Sequence, residues 1–103
     1  MTDRPKGMVL EVAEIEIVTG QAEDFIAAYR KVRDLLTGTP GCRTVRMTRG
    51  VESPHRFLLL VEWDDIVAHE KNFRDTERST AWRAAIGSYF AGPPHAEHVT
   101  DVD

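Results

Sequence analysis

FLLLVEWDDIVAHEKNF, residues 57–73, runs from an apolar strand through a tryptophan and an acidic break into a stretch with helical spacing. Phe57, Leu59, Val61 and Trp63 fall on one face of the strand, with Leu58, Leu60 and then Glu62 on the other. Both faces therefore require cover. Asp64 and Asp65 are placed to cap a helix that carries Ile66, His69 and Phe73 at i, i+3 and i+7. Such a strand end either walls a ligand pocket or feeds a core strand into a core helix.

Upstream, VLEVAEIEIV (9–18) alternates toward its end, with Ala13, Ile15 and Ile17 opposite Glu14 and Glu16, and reads as a strand. QAEDFIAAYRKVRDLL then places Phe25, Tyr29, Val32 and Leu36 at helical spacing, with Glu23 and Asp24 in the first turn. Gly38 is expected to close this helix in the left-handed conformation, and Pro40 forbids its continuation. CRTVRMTRGV (42–51) sets Val45 and Met47 against Thr44, Arg46 and Thr48, and the following ESPH predicts a hairpin back to Phe57. After Phe73, Asp75 or Thr76 can restart a helix with Trp82, Ile86, Tyr89 and Phe90 as its apolar stripe, although Gly87 weakens the last turn. HAEHVTDV (95–102) reads as a final short strand.

The order β, α, β, β, broken α, β predicts an α+β, ferredoxin-like βαββαβ fold, with helices on one face of an antiparallel sheet. Residues 1–8 are expected to form a loose arm and 9–103 one domain. Leu58 and Leu60, with Leu10 and Val12, then point away from the helices. Exposing two or three aliphatic side chains forfeits a few kcal/mol at roughly 25 cal/mol per Å², so a second copy packed sheet to sheet is the expected cover.

Composition narrows the function classes. A net charge of -4 and a pI near 5.5 argue against nucleic acid as partner, which begins with clustered Lys and Arg. The longest apolar run, Phe57–Val61, is far too short to span a membrane. A single cysteine, Cys42, and an N-terminus without a secretory layout set a cytoplasmic expectation. The glycines never reach phosphate-cradling spacing, and no GxSxG exposes a nucleophilic serine. His95 and His98, three apart on a strand, face opposite sides, so no metal site is expected.

What remains is a pocket between sheet and helices. Trp63 and His69 would stand at its loop end, Phe25 and Tyr29 come from the first helix, and Trp82, Arg83, Ile86 and Tyr89 from the last. Each also has a plainer reading: Trp63 and Trp82 as core, His69 as a satisfied histidine, Arg83 as a cover for Trp82, and the charges of EKNFRDTERS as a solvated face.

The Gly20 turn, GCRTVRMTRG after TPG, the strand ending VEWDD, AHEKNF beyond it, and AWRAAIGSYF before the last strand together resemble the antibiotic biosynthesis monooxygenase (ABM) family of dimeric α+β barrels. The resemblance implies a homodimer joined through the sheet face, with a pocket in each subunit. It implies oxidation of a phenolic or quinol-like aromatic by O₂ with no cofactor, neither metal nor flavin. A phenol that has lost its proton passes one electron to triplet O₂, which avoids the spin barrier, and the radical pair recombines. Carried over by position, Trp63 becomes a hydrogen-bond donor in the pocket, His69 the general base and Arg83 a stabiliser of developing negative charge. Phe25, Tyr29, Leu59, Phe73, Trp82, Ile86 and Tyr89 become the substrate-binding set. Leu59 stands where some oxygenases of this kind carry an asparagine, which leaves their proton relay incomplete here. The haem-degrading branch is excluded by the absence of its first-strand asparagine and of a histidine in the Trp82 helix. The alternative is a non-catalytic dimer that binds or senses a small hydrophobic ligand in the same pocket.

Overall fold

Alternation builds the sheet in the computed structural model, which describes residues 7–103; most of the expected N-terminal arm lies outside the described residues. Four strands, β1 (Val9–Glu16), β2 (Cys42–Arg49), β3 (Arg56–Trp63) and β4 (His95–Val99), lie in the order β2-β3-β1-β4 with every neighbour antiparallel. The first crossover carries α1 (Ala22–Val32) and α2 (Asp34–Thr37). The second carries α3 (Ile66–His69), a π-helical turn (Glu70–Arg74) and α4 (Glu77–Ile86). This is the α+β, ferredoxin-like arrangement that the element order predicts.

The helix-facing side of the sheet holds the core. Along β3, Phe57, Leu59, Val61 and Trp63 are buried, while Leu58, Leu60 and Glu62 between them are half-exposed. The β1 ladder sets Ile15 opposite Phe57, Ala13 opposite Leu59 and Glu11 opposite Val61. From α1, Phe25 meets Phe57 edge-on with ring centroids 5.0 Å apart, and Tyr29 meets Trp82 of α4 at 5.9 Å and 89°. On the other face Val12 pairs with Leu60, and Leu10 with Val99. The ion pair Arg56–Glu14 and the hydrogen bond from Thr44 to Glu62 flank this aliphatic stripe. Among the described residues no helix is long and apolar enough to cross a membrane.

Three local features depart from the sequence expectation. The helix expected over 21–36 breaks at Arg33, whose guanidinium donates to the Val45 carbonyl of β2 at 2.8 Å. Gly38 does not take the left-handed conformation (φ -84°); the Leu35 carbonyl is met instead by the Thr39 hydroxyl at 2.6 Å. Glycine serves there as space, since a Cβ would lie 2.9 Å from the Asp34 carbonyl oxygen. The positive φ belongs to Gly41, at 90°, where the chain enters β2 so close to α3 that a Cβ would stand 2.5 Å from that of Ala68.

The second crossover is shaped by its caps. Asp65 Oδ1 accepts from the Ala68 amide at 2.7 Å and starts α3, while the Thr76 hydroxyl accepts from the Arg78 amide and starts α4. Between them the π turn widens the helix, a form found mostly as single turns and often at functional sites. It buries Phe73, and His69 is buried at its entrance, whereas Ile66 is exposed.

Gly41→Ala combines a strained φ with a collision against Ala68, so a loss of about 2–4 kcal/mol is expected. Urea unfolding measures it. A variant as stable as the parent would show that β2 and α3 are not in contact.

Candidate functional site

Glu11 is a carboxylate on the apolar face of the central strand β1, only 7% exposed. A buried charge requires a partner, and its Oε1 accepts the indole N–H of Trp63 at 3.0 Å. Burial pushes the Glu11 carboxyl above its ordinary pKa, and the Trp63 hydrogen bond pulls it partly back.

His69 stacks on the Trp63 indole with ring centroids 4.9 Å apart and planes at 14°. Its Nε2 lies 3.4 Å from Glu11 Oε1, and its Nδ1 lies 2.7 Å from Nε2 of His98 on β4. Register explains the cluster, because Glu11 and His98 are direct cross-strand partners and so share a face. Burial, then His98 and Arg74, push the His69 imidazole down to about 4, with Glu70 opposing. His69 is therefore neutral at pH 7. Its two nitrogens turn to different neighbours, which makes a chain of proton sites rather than a cage. Among the described residues no group of three His, Cys, Asp or Glu side chains is arranged to hold a metal ion.

Beside this chain opens a cavity of about 410 Å³, within the range of small-molecule sites. Ala13, Ile15 and Leu59 form its sheet wall, and Phe73 and Trp82 its helical wall. Glu11 and His69 line one end. Arg74 and Arg83 add positive charge, and Arg83 Nη2 is steadied by the buried Ser79 hydroxyl at 3.0 Å. Gly87, Phe90, Pro94 and Ala96 complete the lining.

Of the residues singled out in the sequence, His69, Arg83, Leu59, Phe73 and Trp82 line this cavity. Trp63 is fully buried behind His69 and bears on the cavity through Glu11 and His69, which line it. Phe25, Tyr29 and Ile86 are buried in the core, outside the lining. Tyr89 faces a separate surface depression with Asp24, Lys31 and Ala85. Glu11 is not among those residues, and His98 enters there only with His95 as a metal pair that is set aside. Glu11 was readable in principle, since alternation puts it in phase with Ala13, Ile15 and Ile17. His98 was not, because its place beside His69 follows from the pairing of β4 with β1.

The family model described as "Antibiotic biosynthesis monooxygenase" matches residues 8–86. The chain belongs to the antibiotic biosynthesis monooxygenase family. It is 32% identical over 95 residues to the uncharacterized protein YczJ of Bacillus subtilis, covering 92% of this chain and 100% of that one. A solved structure from Bordetella bronchiseptica, assigned to the same family, superposes with a TM-score of 0.89 at 34% identity, covering 94% of this chain and 99% of the other. One from Caulobacter crescentus CB15 gives 0.80 at 23% identity, covering 97% and 94%, a likeness of fold. ABM membership and the Bordetella bronchiseptica structure support a general monooxygenase-like role. The ABM match runs from β1 through α4, so β4 and His98 lie beyond it.

The linked titrations have a definite sign. The unfolded chain protonates His69 near 6.5 and the native chain only near 4, so this residue makes stability fall as pH drops across that window. Glu11 acts oppositely, because its raised native pKa binds the proton ahead of the unfolded chain. Urea midpoints measured between those pH values should fall less steeply in His69→Gln and more steeply in Glu11→Gln than in the parent. Equal slopes in all three would mean that neither group is perturbed by folding.

Proposed function

We propose that this ABM-family protein is a cofactor-independent monooxygenase that oxidises a phenolic or quinol-like aromatic with O₂. The observation that carries the reading is an apolar cavity of about 410 Å³ with the Glu11–His69 pair at one end and Arg83 in its wall. Apolar walls hold a flat ring and keep water from the oxygenated intermediate. His69, unprotonated at neutral pH, acts as the general base for the phenolic hydroxyl. Trp63 holds its plane by stacking, and Arg83 meets the negative charge that develops on the ligand oxygen. For a phenol the balance is phenol plus O₂ to quinone plus water, one oxygen atom entering the ring and the other leaving reduced. The phenolate supplies the electrons.

The second reading, a non-catalytic dimer that binds or senses a hydrophobic ligand, is favoured by Leu59, which puts an aliphatic group in the sheet wall of the cavity. Both readings include a homodimer. The aliphatic stripe of Leu10, Val12, Leu58 and Leu60 is only half-buried in the single chain, and a second copy across it removes that apolar surface from water.

A naphthol incubated with the protein under isotopically heavy O₂ is expected to give a naphthoquinone carrying one heavy oxygen atom, with the rate falling about a hundredfold in His69→Ala. Tight naphthol binding with no O₂ consumed would establish the binding protein instead. Separately, sedimentation should report a dimer, and Leu60→Asp a monomer. A parent protein that sediments as a single subunit would remove the sheet-to-sheet assembly.

A further inference from the structure

We propose that Glu11, His69 and His98 form a proton wire in which Glu11 takes the proton of a bound hydroxyl and His98 delivers it to the open edge of β4. The proposal rests on the reading of the cavity as a site that deprotonates its ligand. It refines that reading: the ligand proton reaches His69 through Glu11 instead of directly, and His98, outside the segment that the family model matches, carries it on.

The geometry is a line of three titratable groups running outward. Glu11 stands on the central strand, and its carboxylate lines the cavity. His69 comes next, 9% exposed, with one nitrogen toward Glu11 and the other 2.7 Å from His98. His98 stands on β4, an outer strand of the sheet, and is half-exposed. Exposure therefore rises along the line. Leu59 and Ala13 close the sheet side of the cavity with hydrocarbon, so that wall offers a proton no other route.

The unequal spacings assign the parts. The 2.7 Å contact between imidazoles is a full hydrogen bond, whereas 3.4 Å from Glu11 Oε1 to His69 Nε2 lies beyond the usual N–H···O range of roughly 2.7–3.2 Å. That looser link leaves the carboxylate available to a ligand hydroxyl. Trp63 fixes its position by holding Oε1.

The steps balance. A ligand hydroxyl gives its proton to the Glu11 carboxylate, leaving the ligand an oxyanion and Glu11 a neutral acid. Glu11 passes that proton to His69 Nε2 while the Nδ1 proton of His69 moves to His98 Nε2, so His69 begins and ends neutral. His98, now a cation, sheds its Nδ1 proton to water. Burial pushes the Glu11 carboxyl up and the His69 imidazole down to about 4, so His69 stays neutral between transfers. The groups facing His69 are His98 from β4, Glu11 from β1, the Trp63 indole from β3, and Glu70 and Arg74 on its own helical run.

Two measurements test this. Nitrogen-15 spectra of the imidazoles in the ligand-free protein should show His69 neutral above about pH 4 with its proton on Nδ1, toward His98, and its Nε2 free to receive. A proton held on Nε2, toward Glu11, overturns the wire. In turnover with a naphthol in dilute buffer, His98→Asn should lower kcat about tenfold or more with KM little changed, and added imidazole should restore it. An unaltered kcat, or a loss that imidazole does not restore, overturns the role of His98. If the parent protein does not oxidise the naphthol, the monooxygenase reading falls, and the wire is decided by the tautomer measurement alone.

Discussion

The hydrogen bond from the Trp63 indole to Glu11 is the interaction on which the site depends. A carboxylate on the helix-facing side of a sheet is tolerated only with a donor at hand, and Trp63 supplies one from the adjacent strand while remaining fully buried. The indole then offers its face to His69, whose imidazole stacks on it at 4.9 Å. His98 completes the set from the other side of β1. Each member restricts the next, so β1, β3, α3 and β4 are tied at one point.

The backbone around this point accommodates it. Gly41 lets β2 press against Ala68, which fixes α3 against the sheet. Asp65 caps α3, and the π turn that follows buries Phe73 beside His69 and Trp63. Thr76 restarts the helix so that Trp82 and Arg83 come back over the cavity. A continuous helix from Ile66 onward would have kept one face throughout; the break lets two short segments face the cavity from different directions. The same crossover thus closes the core at Phe25, Phe57 and Ile86 and leaves space open a few residues away.

The two faces of the sheet have different roles. Helices cover one, and the other carries aliphatic side chains between ion-paired and hydroxyl-bearing neighbours. At about 25 cal/mol per Å² that stripe is a standing drive toward association. In the proposed dimer the covered outer face would be structural and the helix-facing side would hold the ligand, so that assembly and chemistry use opposite surfaces of the same four strands.

Most of the fold was legible from the letters because it rests on local periods. The alternation of β3 and the strand end at Trp63 agree with the structure, as do the caps at Asp65 and Thr76 and the break between the last two helices. Gly38 and Gly41 illustrate the limit: both lie in one turn, and which takes the positive φ depends on the approach of α3, a neighbour distant in sequence. The site divides in the same way. His69, Phe73, Trp82 and Arg83 were visible as helical spacings that bring aromatic, titratable and cationic groups to one side. Glu11 was present in the alternation but concealed by an apolar neighbourhood. His98 acquired its place only when β4 paired with β1. Sequence by itself determined which residues share a face, because strand and helix periods are properties of the local chain. Tertiary structure alone decided which faces meet, that Phe25, Tyr29 and Ile86 fill the core while a cavity opens beside His69, and that two histidines and a carboxylate stand in line, because those outcomes depend on register and on packing between segments far apart in the chain.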